Sequence, residues 1–182
     1  MQGIFGRPIV TQEQMRLRIK ELGKEITEDY TGKDLVLIGV LKGAYAFYAD
    51  LARAIRIPMR VDFIVVRSYS GRIRTSGKVK LVSDLTEDIK GRDVLLVEDI
   101  VDSGLTAAYL LKKLSARKPR SLKICALLSK PERRKVHPPV EYVGFKIPNK
   151  YVVGYGLDYE QKYRNLPYLV ALEQVAMEDQ DE

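Results

Sequence analysis

Residues 94–106 read Val-Leu-Leu-Val-Glu-Asp-Ile-Val-Asp-Ser-Gly-Leu-Thr, and the rest of the chain is organised around them. The four apolar residues 94–97 predict a buried strand that runs directly into three carboxylates. Beyond the polar turn 103–106, Ala107, Leu110 and Leu114 recur at the spacing of one helix face. The stretch therefore predicts a strand, a small turn and a helix, which is the repeating unit of an α/β fold.

The turn has the composition of a phosphate-binding site. Backbone N–H groups of a glycine-containing turn, together with a helix N-terminus and the hydroxyls of Ser103 and Thr106, suit a dianionic phosphate. The neighbouring acids Glu98, Asp99 and Asp102 must then bind something other than phosphate. Sugar hydroxyls and a divalent cation with oxygen ligands would both fit, and both point to a phosphorylated ribose.

Other interpretations of this stretch explain less. A solvated acidic loop would account for the charges but not for Ser, Gly and Thr at this spacing. An EF-hand calcium loop requires Glu six residues beyond its glycine, and Leu110 stands there. A P-loop is excluded because Gly71 and Gly77 are one residue too far apart. A dinucleotide fingerprint is excluded because Tyr159 stands where its third glycine would be.

Composition bounds the class of protein. A chain of 182 residues suits one domain, here residues 1–182, that buries about seven tenths of its unfolded surface. The single cysteine, Cys125, lies in an apolar run and predicts a core residue of a cytoplasmic protein. We expect no signal peptide and no membrane partner. The net charge of +7 favours anionic partners, either nucleic acid or a small polyphosphate, without choosing between them.

The remaining periodicity predicts further strand-turn-helix units. Helices are predicted over 11–30 and 44–56, and strands over 35–40, 59–66, 121–129, 142–145 and 151–156. Lys42, Lys130 and Asp158 each follow one of these strands. Because open α/β sheets bind ligands beyond the carboxyl ends of their strands, these side chains are candidates for one site. The charged run 132–135 is interpreted as solvated, and His137, in a loop without a metal-ligand partner nearby, is assigned no role.

Two segments are predicted to lack regular structure. Residues 67–80 contain five basic residues, no acid and two glycines, which predicts a mobile basic loop; with its flank it forms a flexible active-site loop over 67–83. Residues 173–182 contain five acids and few apolar residues, which predicts a frayed tail.

Together with residues 98–106, the runs 40–43, 67–69 and 151–164 and Lys130 resemble the hypoxanthine-guanine type of purine phosphoribosyltransferase, type I. The match spans nearly the whole chain in the right order. The resemblance implies a central, mainly parallel twisted sheet with flanking helices, and a small hood formed by the N- and C-terminal segments. It also implies a role for individual residues.

For the sugar phosphate, the resemblance implies ribose and magnesium binding by Glu98 and Asp99, and 5-phosphate binding by Asp102, Ser103, Gly104, Leu105 and Thr106. It implies diphosphate binding by Lys42, Gly43 and Arg164, and purine binding by Lys130, Tyr151 and Val152. Asp158 would bind a second magnesium ion, and Ser68 and Tyr69 would lead a closing lid. The sequence departs from the family at Leu105, often polar or basic in relatives, and at Tyr151, where Phe is commoner.

The implied reaction moves a phosphoribosyl group from phosphoribosyl diphosphate to hypoxanthine or guanine, giving IMP or GMP and diphosphate. The incoming 6-oxopurine base must lose a proton, which predicts a general-base role for Asp102. Mg²⁺ is the expected cofactor, and a homodimer or homotetramer without nucleic acid is expected. Two alternatives stay open: a xanthine-preferring transferase, and a non-catalytic regulator that senses phosphoribosyl compounds and binds nucleic acid.

Overall fold

A computed structural model describes residues 5–71 and 74–172 of the chain. In chain order the elements are β1 (Phe5–Val10), α1 (Gln12–Tyr30), β2 (Leu35–Leu41), α2 (Tyr45–Ala54), β3 (Arg60–Gly71), β4 (Arg74–Ser83), β5 (Asp93–Val101), α3 (Leu105–Ser115), β6 (Ser121–Ser129), a short 3-10 helix (Pro131–Arg133), β7 (Tyr142–Lys146), β8 (Val152–Val153) and β9 (Leu169–Leu172). None of the described helices is long and apolar enough to cross a membrane.

The main sheet has the strand order β4-β3-β2-β5-β6-β7. Every neighbouring pair is parallel except β3 with β4. The carboxyl ends of β2, β5 and β6 therefore lie side by side at one edge, at Leu41, Val101 and Ser129. This order confirms the predicted, mainly parallel α/β sheet and brings the three central strand ends to one place.

Buried side chains cover both faces of this sheet. Along β2, Leu35 and Leu37 join the cluster beneath α1 and α2, whereas Val36 and Ile38 join the cluster beneath α3. This alternation follows from the two-residue period of a strand, and a strand that is apolar at every position must be covered on both sides. Cys125 is fully buried in the first cluster, as predicted for a core residue.

A second, three-stranded antiparallel sheet, in the order β1-β9-β8, forms the hood. Its strands come from the N-terminal and C-terminal parts of the described chain, so the implied hood is confirmed. Val153, Val170 and Leu172 are buried between it and the tyrosines that follow β8. The predicted frayed tail, 173–182, lies outside the described residues.

The sequence analysis located α1 closely. Thr11 is its N-cap, and the side chains of Thr11 and Gln14 exchange hydrogen bonds with each other's backbone N–H groups at 3.2 and 2.8 Å. Met15, Ile19 and Leu22 are buried at helical spacing. The predicted capping box is therefore present, and the helix ends at Tyr30 as expected.

The structure differs from the expected secondary structure in two segments. Residues 67–71 continue β3 and residues 74–80 belong to β4, with Arg67 paired with Lys80, while the role of this segment as a mobile active-site loop stays a prediction. Each of the two strands is stabilised by hydrogen bonds to the other, and the glycine content and charge of the sequence do not predict this pairing. The predicted strand 151–156 is limited to Val152–Val153, because Gly154, Tyr155 and Gly156 all have positive φ angles (102°, 48° and 103°) that turn the chain.

Candidate active site

Three predicted site segments follow the three adjacent strand ends. Lys42 and Gly43 follow β2, Asp102 follows β5 and Lys130 follows β6. The backbone N–H of Lys130 donates to the carbonyl of Val101 at 3.0 Å, so the ends of β5 and β6 are joined directly. The sheet order therefore places Lys42, Asp102 and Lys130 at one edge, as the strand-end pattern predicted, whereas Asp158 lies five residues beyond β8 of the hood sheet and does not follow a strand of the main sheet.

The predicted phosphate-binding turn, residues 102–106, packs closely against residues 135–138. Gly104, the N-cap of α3, has a φ of 81°, and a Cβ atom there would lie 2.3 Å from the carbonyl oxygen of Val136. The backbone N–H groups of Lys135 and Val136 both donate to the carbonyl of Ser103, at 3.0 and 3.2 Å. Only glycine fits this conformation and this space. Residues 135–138 thus support the turn while Leu105 and Thr106 begin the helix.

Glu98 and Asp99 lie at the carboxyl end of β5. Glu98 is 3% exposed, and its Oε1 atom has no hydrogen-bond partner among the described residues. Burial, followed by the charge of Asp99, raises the pKa of Glu98 well above its usual value. Burial also raises the pKa of Asp99 to about 6, although the backbone N–H of Ile100 opposes the shift. An unpartnered buried carboxylate is costly unless a ligand or cation completes it.

Gly43 brings the loop after β2 against β5. A Cβ atom on Gly43 would lie 1.7 Å from Oδ2 of Asp99, and one on Gly156 would lie 2.0 Å from the Gly43 carbonyl oxygen. The Leu41–Lys42 peptide is cis, and Lys42 is exposed. The loop after β2 is therefore packed between the acidic end of β5 and the loop that follows β8.

The loop after β8 presents Asp158 and Arg164 as an ion pair. Arg164 Nη2 lies 2.6 Å from Asp158 Oδ1, and its Nη1 donates to the carbonyl of Gly156 at 2.6 Å. The charges of both residues act on Asp99, the guanidinium lowering its pKa and Asp158 raising it. Tyr45, at the start of α2, donates to the carbonyl of Arg164 at 3.2 Å, and sequence analysis did not select it.

Asp102 lies between two cations. Its Oδ2 is 3.5 Å from the Lys130 ammonium, and its Oδ1 is 3.3 Å from Nε of Arg133. Lys130 is 5% exposed, and burial lowers the pKa of its ammonium, with Asp102 opposing and Arg133 adding to the shift. Arg133 belongs to the run that was interpreted as solvated, and its side chain is 48% exposed, but it also contacts Asp102, which the sequence analysis did not foresee. Its position three residues after Lys130 was the available signal.

The predicted purine-binding residues Tyr151 and Val152 lie at the start of β8, one of the three strands of the hood. Tyr151 is 44% exposed, and its ring packs edge-on against that of Tyr159, with ring centroids 5.6 Å apart. Its hydroxyl donates to the carbonyl of Asp158 at 3.1 Å. Val152 is buried and pairs with Ala171 of β9. An exposed aromatic face that is anchored at its hydroxyl suits stacking by a planar base.

The predicted lid lies largely outside the described part of the structure. The structure describes the backbone of Ser68 and Tyr69 but not their side chains, and it does not describe residues 72 and 73. Within residues 5–71 and 74–172, no group of three or more His, Cys, Asp or Glu side chains is arranged to hold a metal ion.

A model of the phosphoribosyl transferase domain matches residues 8–160. The chain belongs to the phosphoribosyltransferase family. This phosphoribosyltransferase is 53% identical over 171 residues to a hypoxanthine-guanine phosphoribosyltransferase of Mycobacterium avium, covering 91% of this chain and 84% of the relative. The match confirms the resemblance found in the sequence.

Solved structures agree. A hypoxanthine phosphoribosyltransferase of Staphylococcus aureus matches with a TM-score of 0.91 and 43% identity, covering 97% of this chain and 96% of that one. The enzyme of Trypanosoma cruzi in complex with the product IMP matches with a TM-score of 0.87 and 43% identity, covering 94% and 96% of the two chains. The type I fold of this phosphoribosyltransferase is therefore shown by its sheet order and by its neighbours.

Proposed function

We propose that this phosphoribosyltransferase transfers the 5-phosphoribosyl group of phosphoribosyl diphosphate to hypoxanthine or guanine, with Asp102 as general base and Lys130 as the reader of the 6-oxo group. It is a purine salvage enzyme that forms IMP or GMP and diphosphate. The observation that supports these roles best is the buried Lys130 ammonium 3.5 Å from Asp102, beside the phosphate turn. A donor for a 6-oxo oxygen thus stands next to an acceptor for a ring proton.

Substrate binding divides by charge. The turn of residues 102–106 receives the 5-phosphate at the N-terminus of α3, while Glu98 and Asp99 face the ribose hydroxyls. Lys42, Gly43 and Arg164 bind the diphosphate, where positive charge stabilises the leaving group as the bond to C1 of the ribose breaks. Tyr151 stacks on the base and the backbone of Val152 contacts its edge.

The acids of the site fit Mg²⁺. Magnesium is usually held by one or two carboxylates together with substrate phosphates, so a protein cluster of three acids is not required. Asp99, with Asp158 nearby, supplies hard oxygen donors, and the unpartnered Oε1 of buried Glu98 is a further acceptor. When bound, Mg²⁺ neutralises charge on the diphosphate. We assign Glu98 and Asp99 to one ion and Asp158 to a second.

The surroundings of the reaction are also proposed. A lid led by Ser68 and Tyr69 closes over the substrates, because an oxocarbenium-like ribose would react with water in an open site. We propose a homodimer or homotetramer in the cytoplasm. The single buried cysteine agrees with a reducing compartment.

A base panel tests the reaction. The protein is mixed with Mg²⁺, phosphoribosyl diphosphate and, separately, hypoxanthine, guanine, xanthine, adenine or uracil, and nucleotide is measured by chromatography. We expect IMP and GMP to form fastest. A clear preference for xanthine would move the assignment to a xanthine transferase, and no product with any base would support a non-catalytic regulator.

A further inference from the structure

Arg133 connects two sides of the candidate purine site. It is the last residue of the short 3-10 helix that follows Lys130, and its side chain is 48% exposed. Its Nε lies 3.3 Å from Oδ1 of Asp102, and its Nη1 donates to Oδ1 of Asn149 at 3.2 Å. Asn149 stands two residues before Tyr151, so the guanidinium spans from the phosphate turn to the segment that leads to the stacking residue.

The two oxygens of Asp102 have different cations. Oδ2 accepts from Lys130 at 3.5 Å, whereas Oδ1 is buried and meets Arg133 as an ion pair without hydrogen-bond geometry. When a purine 6-oxo oxygen takes the Lys130 ammonium, Oδ2 becomes free to accept a proton. Of the two ion pairs that the described residues form with Asp102, the one with Arg133 then remains.

We propose that Arg133 is a positioning residue for proton transfer, holding Oδ1 of Asp102 so that Oδ2 faces the purine. The inference rests on the proposed function, in which Asp102 is the general base. The imidazole N–H proton moves to Oδ2, the purine ring nitrogen bonds to C1 of the ribose, and diphosphate leaves with the electrons of the broken C1–O bond. The terminal torsion of an Asp side chain is broad, so a carboxylate without a fixed oxygen samples unproductive orientations.

This role predicts an effect on rate rather than on stability. An ion pair of a half-exposed arginine adds little to folding. The loss should therefore appear in kcat, because the orientation of the base matters only once both substrates are bound. Asn149→Ala separates the two contacts of Arg133, since it removes the partner in the segment 149–151, here called the stacking loop, and leaves Asp102 in place.

The experiment is a double-mutant cycle on the full chain, with Mg²⁺, saturating phosphoribosyl diphosphate and hypoxanthine. Arg133→Ala should lower kcat about tenfold, a part of the ~10²–10⁴-fold that general-base catalysis supplies, with the KM for phosphoribosyl diphosphate changed less than about twofold. Arg133→Lys should recover most of the rate, because its ammonium can still contact Oδ1. In an Asp102→Ala background, Arg133→Ala should have no further effect, since the two residues act as one unit.

A control variant tests whether the loss of any one positive charge lowers kcat. Lys112→Ala removes one charge from an exposed position on α3 and should leave kcat unchanged. Wild-type kcat in Arg133→Ala, or an equal loss in the Asp102→Ala background, would overturn the positioning role alone. An Asn149→Ala variant as slow as Arg133→Ala would place the effect in the stacking loop instead. Normal kcat in Asp102→Ala would overturn the general-base assignment itself. Should Arg133→Ala lower the Tm, Arg133→Gln, which keeps the side-chain stem, replaces it in the cycle.

Discussion

A Cβ atom on Gly43 would lie 1.7 Å from Oδ2 of Asp99, so the loop after β2 and the acidic end of β5 touch without room for one methyl group. Gly43→Ala must therefore displace the Asp99 carboxylate, which is the end of a flexible side chain. We predict a rise of at least about tenfold in the KM for phosphoribosyl diphosphate with little change in Tm, because a displaced Asp99 carboxylate would misplace the Mg²⁺ and diphosphate that we propose bind there. Steady-state kinetics and thermal unfolding measure the two effects. An unchanged KM would show that Asp99 is not needed at that position.

Gly104 should be sensitive for a second reason besides its φ of 81°. Its missing Cβ would meet the backbone oxygen of Val136 at 2.3 Å, whereas Gly32, with a φ of 78°, has no neighbour within 4 Å. We predict that Gly32→Ala costs about 1–2 kcal/mol of unfolding free energy from its left-handed backbone alone. Gly104→Ala should cost about 2–5 kcal/mol, because backbone must also move. Urea unfolding measures both. Equal losses would mean that residues 135–138 yield easily and do not support the turn.

Lys130 should determine the choice of base. An ammonium donor suits a 6-oxo oxygen and is mismatched with the amino group of adenine, so Lys130→Ala leaves the oxo group unpaired in a buried site. We predict that the ratio of kcat/KM for hypoxanthine over adenine falls by at least about tenfold. Competition assays with both bases measure that ratio. If it keeps its wild-type value, the base is read elsewhere, and the backbone of Val152 becomes the candidate.

The raised pKa of Asp99, about 6, predicts a pH-dependent stability of the metal-free protein. Between the ordinary Asp pKa of about 4 and a pKa of about 6, the folded protein binds more protons at this site than the unfolded chain does. The free energy of unfolding therefore decreases as pH rises through this window. Asp99→Asn lacks the titration, so the stability of wild type relative to this variant should decrease from pH 4 to pH 6.5 in EDTA. A difference that stays flat across the window would contradict the raised pKa.

Protection of the segment 67–80 from protease distinguishes its two possible roles, a lid over the substrates of an enzyme and an arm that binds nucleic acid. If it is a lid, Mg²⁺, phosphoribosyl diphosphate and an unreactive purine analogue should protect the chain from trypsin at Arg72 and Arg74. Tyr69→Ala should then lower kcat, because water enters the closed site. If it is a nucleic-acid arm, RNA or DNA should protect it instead, with an affinity that falls steeply as salt rises. Protection by RNA together with indifference to the small substrates would favour the regulator.

Local patterns determined most of the elements. Helix α1, the apolar runs of β2, β5 and β6 and the Ser-Gly-Leu-Thr turn depend on a few consecutive residues. The ends of these elements were predicted to within four residues. The same patterns marked Lys42, Asp102 and Lys130 as strand-end residues. The roles of individual residues came from the resemblance to a family. Composition and spacing alone predicted only the ligands, a phosphorylated ribose and a divalent cation.

Tertiary structure decided which of these residues meet. The place of β2 beside β5 puts Gly43 against Asp99, and the return of the chain after β6 puts Val136 against Gly104 and Arg133 against Asp102. β1 pairs with β9, from the opposite end of the described chain, and β3 extends to Gly71 because β4 pairs with it. Periodicity and turn chemistry are local, whereas these contacts depend on sheet order and on how closely two backbones approach. The sequence therefore determined where the functional groups stand along the chain, and only packing determined their partners.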